Sequence, residues 1–286
     1  MAIITGTFGN DTLSGNLFEN DLIEGFAGND SLSGVSGNDT VYGGLGNDSI
    51  SGLFGDFLLF GGAGNDSISG GEGRDTIYGE EGADTIAGSL GNDQIFGNQD
   101  NDLILGDLGE DTIWAGKDND IVFGKEGSDL LFGNLGVDVI SGDEGNDTIY
   151  GGKDTDFLYG GNGNDLVSGD KGEDFVIGVN LSASNPGAGE IDTLLGGESA
   201  DLFYLGKEKQ SFYIGAGSGD FAVIADFTVG TDFIVVSSLK GLNFYNLTLD
   251  NLGAGVGISE NNEFIGFVQG VNANQLSLTR DFVPVP

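Results

Sequence analysis

The sequence contains no cysteine and no histidine. Without cysteine no disulfide can hold the chain together. Without histidine neither a Ser-His-Asp triad nor histidine-ligated zinc is available. Positive charge is scarce as well: 9 Lys and Arg stand against 46 Asp and Glu, for a formal net charge of -37. That balance disfavours nucleic acid and anionic membrane surfaces as partners. No apolar run approaches the roughly 18 residues of a membrane span, so no membrane insertion is expected. The start, MAIITGTFGNDTLSG, has neither a basic segment nor an apolar one, so no cleaved secretory leader is expected there. Proline is limited to 3 residues, and the 55 glycines lack the three-residue period of collagen. Self-repulsion on this scale argues for disorder. Yet 38% of residues are hydrophobic and 20 are Phe, so a core can form once the charge is neutralised.

What the sequence does have is a repeat. GGLGNDSIS at 43–51, GGAGNDSIS at 61–69, GGEGRDTIY at 70–78 and GGNGNDLVS at 160–168 share one frame. It reads Gly, Gly, any, Gly, any, Asp, any, aliphatic, any. Asp falls at 21, 30, 39 and 48, then at every ninth residue from 66 to 174, and returns in phase at Asp192 and Asp201. One extra residue interrupts the count between Asp11 and Asp21. The aliphatic slot is filled by Leu13, Ile23, Leu32, Val41, Ile50, Leu59, Ile68 and onward to Val167 and Val176. A period this regular signals a solenoid. The glycine-rich six residues demand turns with positive φ. The other three make a very short strand whose middle side chain points inward. Two nonapeptides close one coil, and coils stack as parallel strands about 4.8 Å apart. The expected fold is all-β: a parallel β-roll with a thin aliphatic core.

Asp residues one coil apart then lie above one another in two columns. The first runs Asp30, Asp48, Asp66, Asp84, Asp102, Asp120, Asp138, Asp156, Asp174, Asp192. The second runs Asp21, Asp39, a gap, Asp75, Asp93, Asp111, Asp129, Asp147, Asp165, a gap, then Asp201. Two bare carboxylates about 5 Å apart repel by roughly 3 kcal/mol at an effective dielectric of 20. Such columns need a cation. Calcium suits them, because it takes six to eight oxygens in flexible geometry, and glycine turns expose main-chain carbonyls; magnesium demands a tighter octahedron.

This pattern resembles the RTX, or haemolysin-type, calcium-binding nonapeptide repeat over residues 5–206. The resemblance implies a calcium-stapled β-roll with each ion held between turns one coil apart. One turn supplies its second and fourth carbonyls and its Asp, as Gly44, Gly46 and Asp48. The next supplies its first and third carbonyls and its Asp, as Gly61, Ala63 and Asp66. Carried along the repeats, it makes ligand turns of those containing Gly43, Gly62, Gly64, Gly70, Gly71, Gly73, Gly79, Gly82, Gly142, Gly145, Gly151, Gly152, Gly160, Gly161 and Gly163. Adjacent Asp pairs allow roughly 13–15 ions. Fifteen would cancel about 30 of the negative charges.

Two frames are defective. In GLFGDFLLF, Phe57 takes the Asp slot and Asp56 has slipped one place earlier. Phe54, Phe57 and Phe60 there form either an exposed functional patch or a packing variant. GVNLSASNPGAGEI at 178–191 lacks glycine turns and has Ala183 in the Asp slot, with Pro186 nearby. It reads as a loop leaving the roll. Asp100, Asp118 and Asp154 replace the fourth-position glycine.

Residues 207–286 leave the repeat. SGDFAVIADFTVGTDFIVVSS at 218–238 alternates and reads as strands around a turn at 229–231. FIGFVQ and QLSLT read as further strands. The stretch resembles the C-terminal flank of RTX modules in secreted proteases and cyanobacterial RTX proteins. The shared pattern is I-x-D-F-x-x-G-x-D-x-I, here Ile224, Asp226, Phe227, Gly230, Asp232 and Ile234. Val235 stands where the family often has a further Asp. A small β cap is expected. The resemblance also implies an uncleaved type I secretion signal ending in DFVPVP; the alternative is simply the last strand of the cap.

The leading functional expectation is a secreted, non-enzymatic, calcium-folded structural protein of a cell surface or matrix. No HExxH or GxSxG motif supports the alternative of a carrier module for an extracellular hydrolase. An adhesin or module binding extracellular polysaccharide is the third possibility. Ala2-Ile3-Ile4-Thr5 supplies only one strand to the first coil, which leaves self-association through the N-terminal coil open.

Overall fold

The computed structural model describes all residues except 185, 208–209, 214–219, 261–262 and 285–286. The last two residues of DFVPVP therefore lie outside the described residues. Among the described residues every regular element is a β-strand. The chain divides into two compact units, Met1–Ile140 and Ser141–Pro286.

In the first unit, β1 (Ile3–Thr5) and β2 (Thr12–Ser14) precede thirteen six-residue strands, β3 (Leu22–Ala27) through β15 (Leu130–Leu135). Odd-numbered strands join in order into one parallel sheet and even-numbered strands into the other. The alternation follows from the nonapeptide, since each repeat crosses to the opposite side and only the second repeat returns. Partners are 18 residues apart, as Ile86 with Ile104 and Ile95 with Ile113. The first pairings span 19, as Ile4 with Ile23 and Leu13 with Leu32, so the extra residue is absorbed before Asp21. The aliphatic slot forms the core: Ile77, Ile86, Ile95, Ile104 and Ile113 are fully buried.

The strands are six residues long, not three. In Thr85–Leu90, pairing resumes beyond the first-position glycine, with Ser89 opposite Asp107 and Leu90 opposite Leu108. The first-position residue points inward, where there is room for nothing larger than the methyl of the fully buried Ala115. The second takes positive φ whatever its identity, as at Gly44 (112°) and even at β-branched Val35 (75°). The third is extended again, so its backbone groups still find partners one coil away. Only positions four to six form the turn.

The 18-residue register also stacks the ninth-position side chains. Tyr42, Phe60, Tyr78, Phe96, Trp114 and Phe132 form a ladder with centroids 4.7, 5.0, 4.7, 4.5 and 5.8 Å apart. Such pairs add about 0.5–1.5 kcal/mol each beyond area burial.

β16 (Val139–Glu144) lies across the division. The second unit continues with β17 (Thr148–Lys153), β18 (Phe157–Asn162), β19 (Leu166–Lys171), β20 (Phe175–Val179), β21 (Ile191–Leu195) and β22 (Leu202–Tyr204). After the short pair β23 (Gly206–Lys207) and β24 (Gln210–Ser211) come β25 (Phe221–Ile224), β26 (Phe233–Val236), β27 (Leu242–Leu249), β28 (Gly253–Glu260), β29 (Glu263–Gln269) and β30 (Phe282–Pro284). One sheet runs β17-β19-β21-β25-β29-β28-β27 and the other β18-β20-β22-β26-β30. Parallel pairing thus persists beyond the nonapeptides; among the described residues the antiparallel pairs are the short β23–β24 and the run β27, β28 and β29. Leu247, Leu249, Leu252 and Phe264 pack on Phe221, Val223 and Phe267 there.

Two readings change in this unit. The loop at 178–191 stretches pairing from 18 to 27 residues, as Val167 with Leu194 and Val176 with Phe203. QLSLT is not a strand: Gln275 N–H bonds Asn272 O, and Ser277 N–H bonds the Asp281 carboxylate at 2.7 Å, which winds the segment into turns.

Candidate metal centre

Each column Asp closes a three-residue turn and precedes a strand, so its own backbone enters the ladder while its side chain stays inside the turn. In the first unit, Asp N–H groups donate to Oδ1 of the Asp one coil on, wherever the two stand in register. Asp30 to Asp48 and Asp48 to Asp66 are 2.7 Å, and Asp66 to Asp84, Asp84 to Asp102, Asp102 to Asp120 and Asp120 to Asp138 are 2.8 Å. On the other edge, Asp21 to Asp39 is 2.6 Å, Asp75 to Asp93 and Asp93 to Asp111 are 2.7 Å, and Asp111 to Asp129 is 2.8 Å. The second unit repeats the link at 2.8 Å from Asp147 to Asp165 and from Asp156 to Asp174.

The other oxygen is the informative one. Oδ2 of Asp30, Asp39, Asp48, Asp66, Asp75, Asp84, Asp93, Asp102, Asp111 and Asp120 is buried without a hydrogen-bond partner. A row of such atoms is costly unless something pairs with them. Burial, augmented by neighbouring carboxylates, pushes Asp66, Asp84 and Asp102 to about 7 and Asp120 to about 8, against the opposing backbone hydrogen bond. Asp93 rises to about 7, and Asp75 and Asp111 to about 6, for the same first reason.

Along most of both columns the orphaned oxygen shares its space with a carbonyl. A Cβ built on Gly106 would lie 2.5 Å from Asp111 Oδ2 and 2.7 Å from Gly124 O. One on Gly151 would lie 2.5 Å from Asp156 Oδ2 and 2.9 Å from Gly169 O. The same pair of atoms crowds Gly43 (Asp48, Gly61 O), Gly61 (Asp66, Gly79 O), Gly70 (Asp75, Gly88 O), Gly79 (Asp84, Gly97 O), Gly142 (Asp147, Gly160 O) and Gly160 (Asp165, Gly178 O). The second and fourth carbonyls approach the backbone of the next turn: Gly44 O faces Gly62, Gly46 O faces Gly64 and Gly64 O faces Gly82. Likewise Gly71 meets Leu53 O, Gly73 meets Gly55 O, Gly161 meets Asp143 O and Gly163 meets Gly145 O, while Gly152 has φ 116°. Ala63 O is partly engaged, accepting Gly46 N–H at 2.8 Å. These donors are all hard oxygens in a cradle that glycine, and once Ala115, leaves open, which fits calcium. Among the described residues no three acidic side chains converge into a metal cluster. The remaining ligands would therefore have to be main-chain carbonyls.

Several placements depart from expectation. Phe57 is 2% exposed; its ring packs against Gly34 and Gly52 where a carboxylate would sit, while its N–H keeps the bond to Asp75 Oδ1 at 2.7 Å. Phe60 belongs to the aromatic ladder, so of the three phenylalanines only Phe54, 56% exposed, faces solvent. Asp56 pairs with Arg74 at 3.6 Å. Asp100, Asp118 and Asp154 hold the turn's positive φ at 68°, 71° and 75°.

The columns also exchange members after the loop. Asp165 N–H donates to Asp192 Oδ1 and Asp174 N–H to Asp201 Oδ1, both at 3.0 Å and both 27 residues apart. Asp192 therefore continues the column of Asp165, and Asp201 that of Asp174, because the loop adds nine residues inside one turn. Asp201 N–H then reaches Asp232 Oδ1 at 3.3 Å.

Two features were not legible in the repeat. Fifth-position Asn residues form a second ladder running the other way: Asn47 N–H bonds Asn29 Oδ1 and Asn65 N–H bonds Asn47 Oδ1, both at 3.1 Å. The recurrent GND triplet was its only signal. Tyr213, fully buried, donates its hydroxyl to Asp192 Oδ2 at 2.6 Å. Burial pushes Asp192 to about 7 and holds the Tyr213 phenol well above its ordinary value.

Comparison with known families matches the RTX calcium-binding nonapeptide repeat (4 copies) at residues 3–17, 24–56, 60–95, 96–131, 123–158, 132–167 and 150–178, more than half of the chain. Comparison with curated proteins gives no match.

The raised carboxylates fix the pH response of metal-free protein. An acid whose folded value lies near 6–8, against 3.8 when unperturbed, binds its proton more tightly in the folded state. Its stabilising contribution is therefore complete below about pH 4 and is lost as pH rises through 6–8. Chelator-treated protein should gain β-type circular dichroism on acidification from pH 8.5 to 5; a loss of signal would contradict this. A second expectation concerns Phe57. Phe57→Asp should bind one or two more calcium ions than the unsubstituted chain in native mass spectrometry, whereas an unchanged count means the interruption never excluded an ion.

Proposed function

The chain belongs to the RTX calcium-binding nonapeptide repeat family, and on that footing we propose a secreted, non-enzymatic structural protein that folds by binding roughly 13–15 calcium ions. The observation carrying this reading is the row of buried, unpartnered Oδ2 atoms, most of them beside a main-chain carbonyl. In the proposed ligand set, each turn gives its Asp and its second and fourth carbonyls, and the next gives its Asp and its first and third. Bound calcium supplies the positive charge that lets the carboxylates remain ionised and stacked. The chain's own part is to orient Oδ1 through the Asp-to-Asp backbone bond and to keep side chains out of the cradle.

At cytosolic calcium the repulsion among 46 acidic residues favours an extended chain. Export by a type I route before folding suits such a chain, and the extracellular side supplies the calcium. There it would serve at a cell surface or in a matrix. A ligand-binding role is the second reading. It is favoured by a shallow groove of about 600 Å³ lined by Tyr42, Leu45, Phe60, Tyr78 and Glu80. Because the ring faces stack on one another, an extracellular polysaccharide would meet ring edges there, and a glycan array would detect it. Exposed Ile3, Phe8, Leu17 and Phe18 support pairing of two first coils. Light scattering should then show a calcium-dependent dimer that Ile3→Asp abolishes; a monomer at tens of micromolar ends that proposal.

Extracellular calcium modules bind at roughly 0.1–1 mM. Calcium titration of chelated protein at neutral pH should raise the β signal cooperatively in that range. An unchanged spectrum after complete calcium removal would remove the basis for calcium-driven folding.

A further inference from the structure

The loop between Gly178 and Glu190 changes the donor set of one turn. In regular turns the fourth-position N–H bonds the third-position carbonyl one coil on, as Gly46 to Ala63 and Gly145 to Asn162, both at 2.8 Å. At Gly163 a side chain takes that place, and the N–H donates to Glu190 Oε1 at 3.2 Å. The second oxygen, Glu190 Oε2, is buried and has no hydrogen-bond partner.

Asp165, 2% exposed, faces the same turn with its Oδ2 equally unpartnered, and that atom shares the cradle at Gly160 with Gly178 O. Asp192 has little left to offer. Its Oδ1 accepts Asp165 N–H and its Oδ2 accepts the Tyr213 hydroxyl. Registry across the loop is intact: Thr193 N–H bonds Asp165 O at 2.7 Å and Ile191 N–H bonds Asn164 Oδ1 at 2.8 Å. The turn is thus fully built, with a carboxylate where the others have a carbonyl.

We propose that Glu190 is a calcium ligand, holding an ion together with Asp165 Oδ2 and Gly178 O at the root of the loop. Glu190 thereby takes over from Asp192, whose oxygens are engaged, so the site keeps two carboxylate ligands like the regular turns; ligand charge is a main determinant of affinity in oxygen sites. The bound ion also ties both ends of the loop to the roll.

The inference rests on the calcium reading, and one experiment separates the two. Anomalous diffraction from calcium-soaked crystals of the full chain should show an ion bonded to Glu190. In Glu190→Gln, which keeps an acceptor for Gly163 N–H, that ion should be lost or weakened, and native mass spectrometry should count one calcium fewer than in the unsubstituted chain. Ordered ions along the Asp columns with none on Glu190, or an unchanged calcium count in Glu190→Gln, would overturn the inference and leave the calcium reading standing. No ordered ion anywhere would overturn both.

Discussion

The structure depends on stacking carboxylates that repel. Every coil places an Asp directly over another, and the backbone bond from one Asp N–H to the next Oδ1 holds them there. The remaining oxygens point into closed, glycine-walled spaces. Hydrogen bonding satisfies half of each carboxylate and leaves the other half charged and dry, a state that is expensive without a counter-charge. Under the proposed function, folding and ion binding are coupled at neutral pH, because assembling the cradle brings together carboxylates that repel while ionised.

The rest of the repeat serves that arrangement. The core is one aliphatic side chain per nonapeptide, too thin to offset the repulsion of two acidic edges. The outer face adds the aromatic ladder from Tyr42 to Phe132, and the turns add an Asn ladder opposed in direction to the Asp ladder. Each ladder is cheap because the 18-residue register supplies identical neighbours without further ordering of the chain. This is the nearest-neighbour logic of solenoids, in which each coil's stability lies in its interfaces.

Where a carboxylate cannot be served by an ion, the chain uses a side chain. Phe57 fills a cradle with a ring and keeps the backbone bond, so the ladder passes through without a charge. Tyr213 offers Asp192 a hydroxyl from outside the repeat. Both substitutions keep the coil in register, and the nine-residue loop before Asp192 is tolerated because the strands beyond it resume the same pairing.

The nonapeptide by itself determined the parallel roll, the inward aliphatic slot and the Asp columns through Asp174, because a strict period maps directly onto coil geometry. It also showed that Phe57 and the 178–191 segment break the pattern. Tertiary structure alone decided how each break is resolved. Whether Phe57 faces water or the cradle depends on the space beside Gly34 and Gly52, which no single-repeat reading contains. The edge on which Asp192 lands depends on where the loop rejoins the sheet, and counting in nines cannot distinguish a return after 18 residues from one after 27. The roles of Glu190 and Tyr213 lie further still from the sequence, since the first acts out of frame and the second arrives from 21 residues beyond its partner. Periodicity encodes contacts between equivalent positions; contacts between inequivalent ones exist only once the chain has folded.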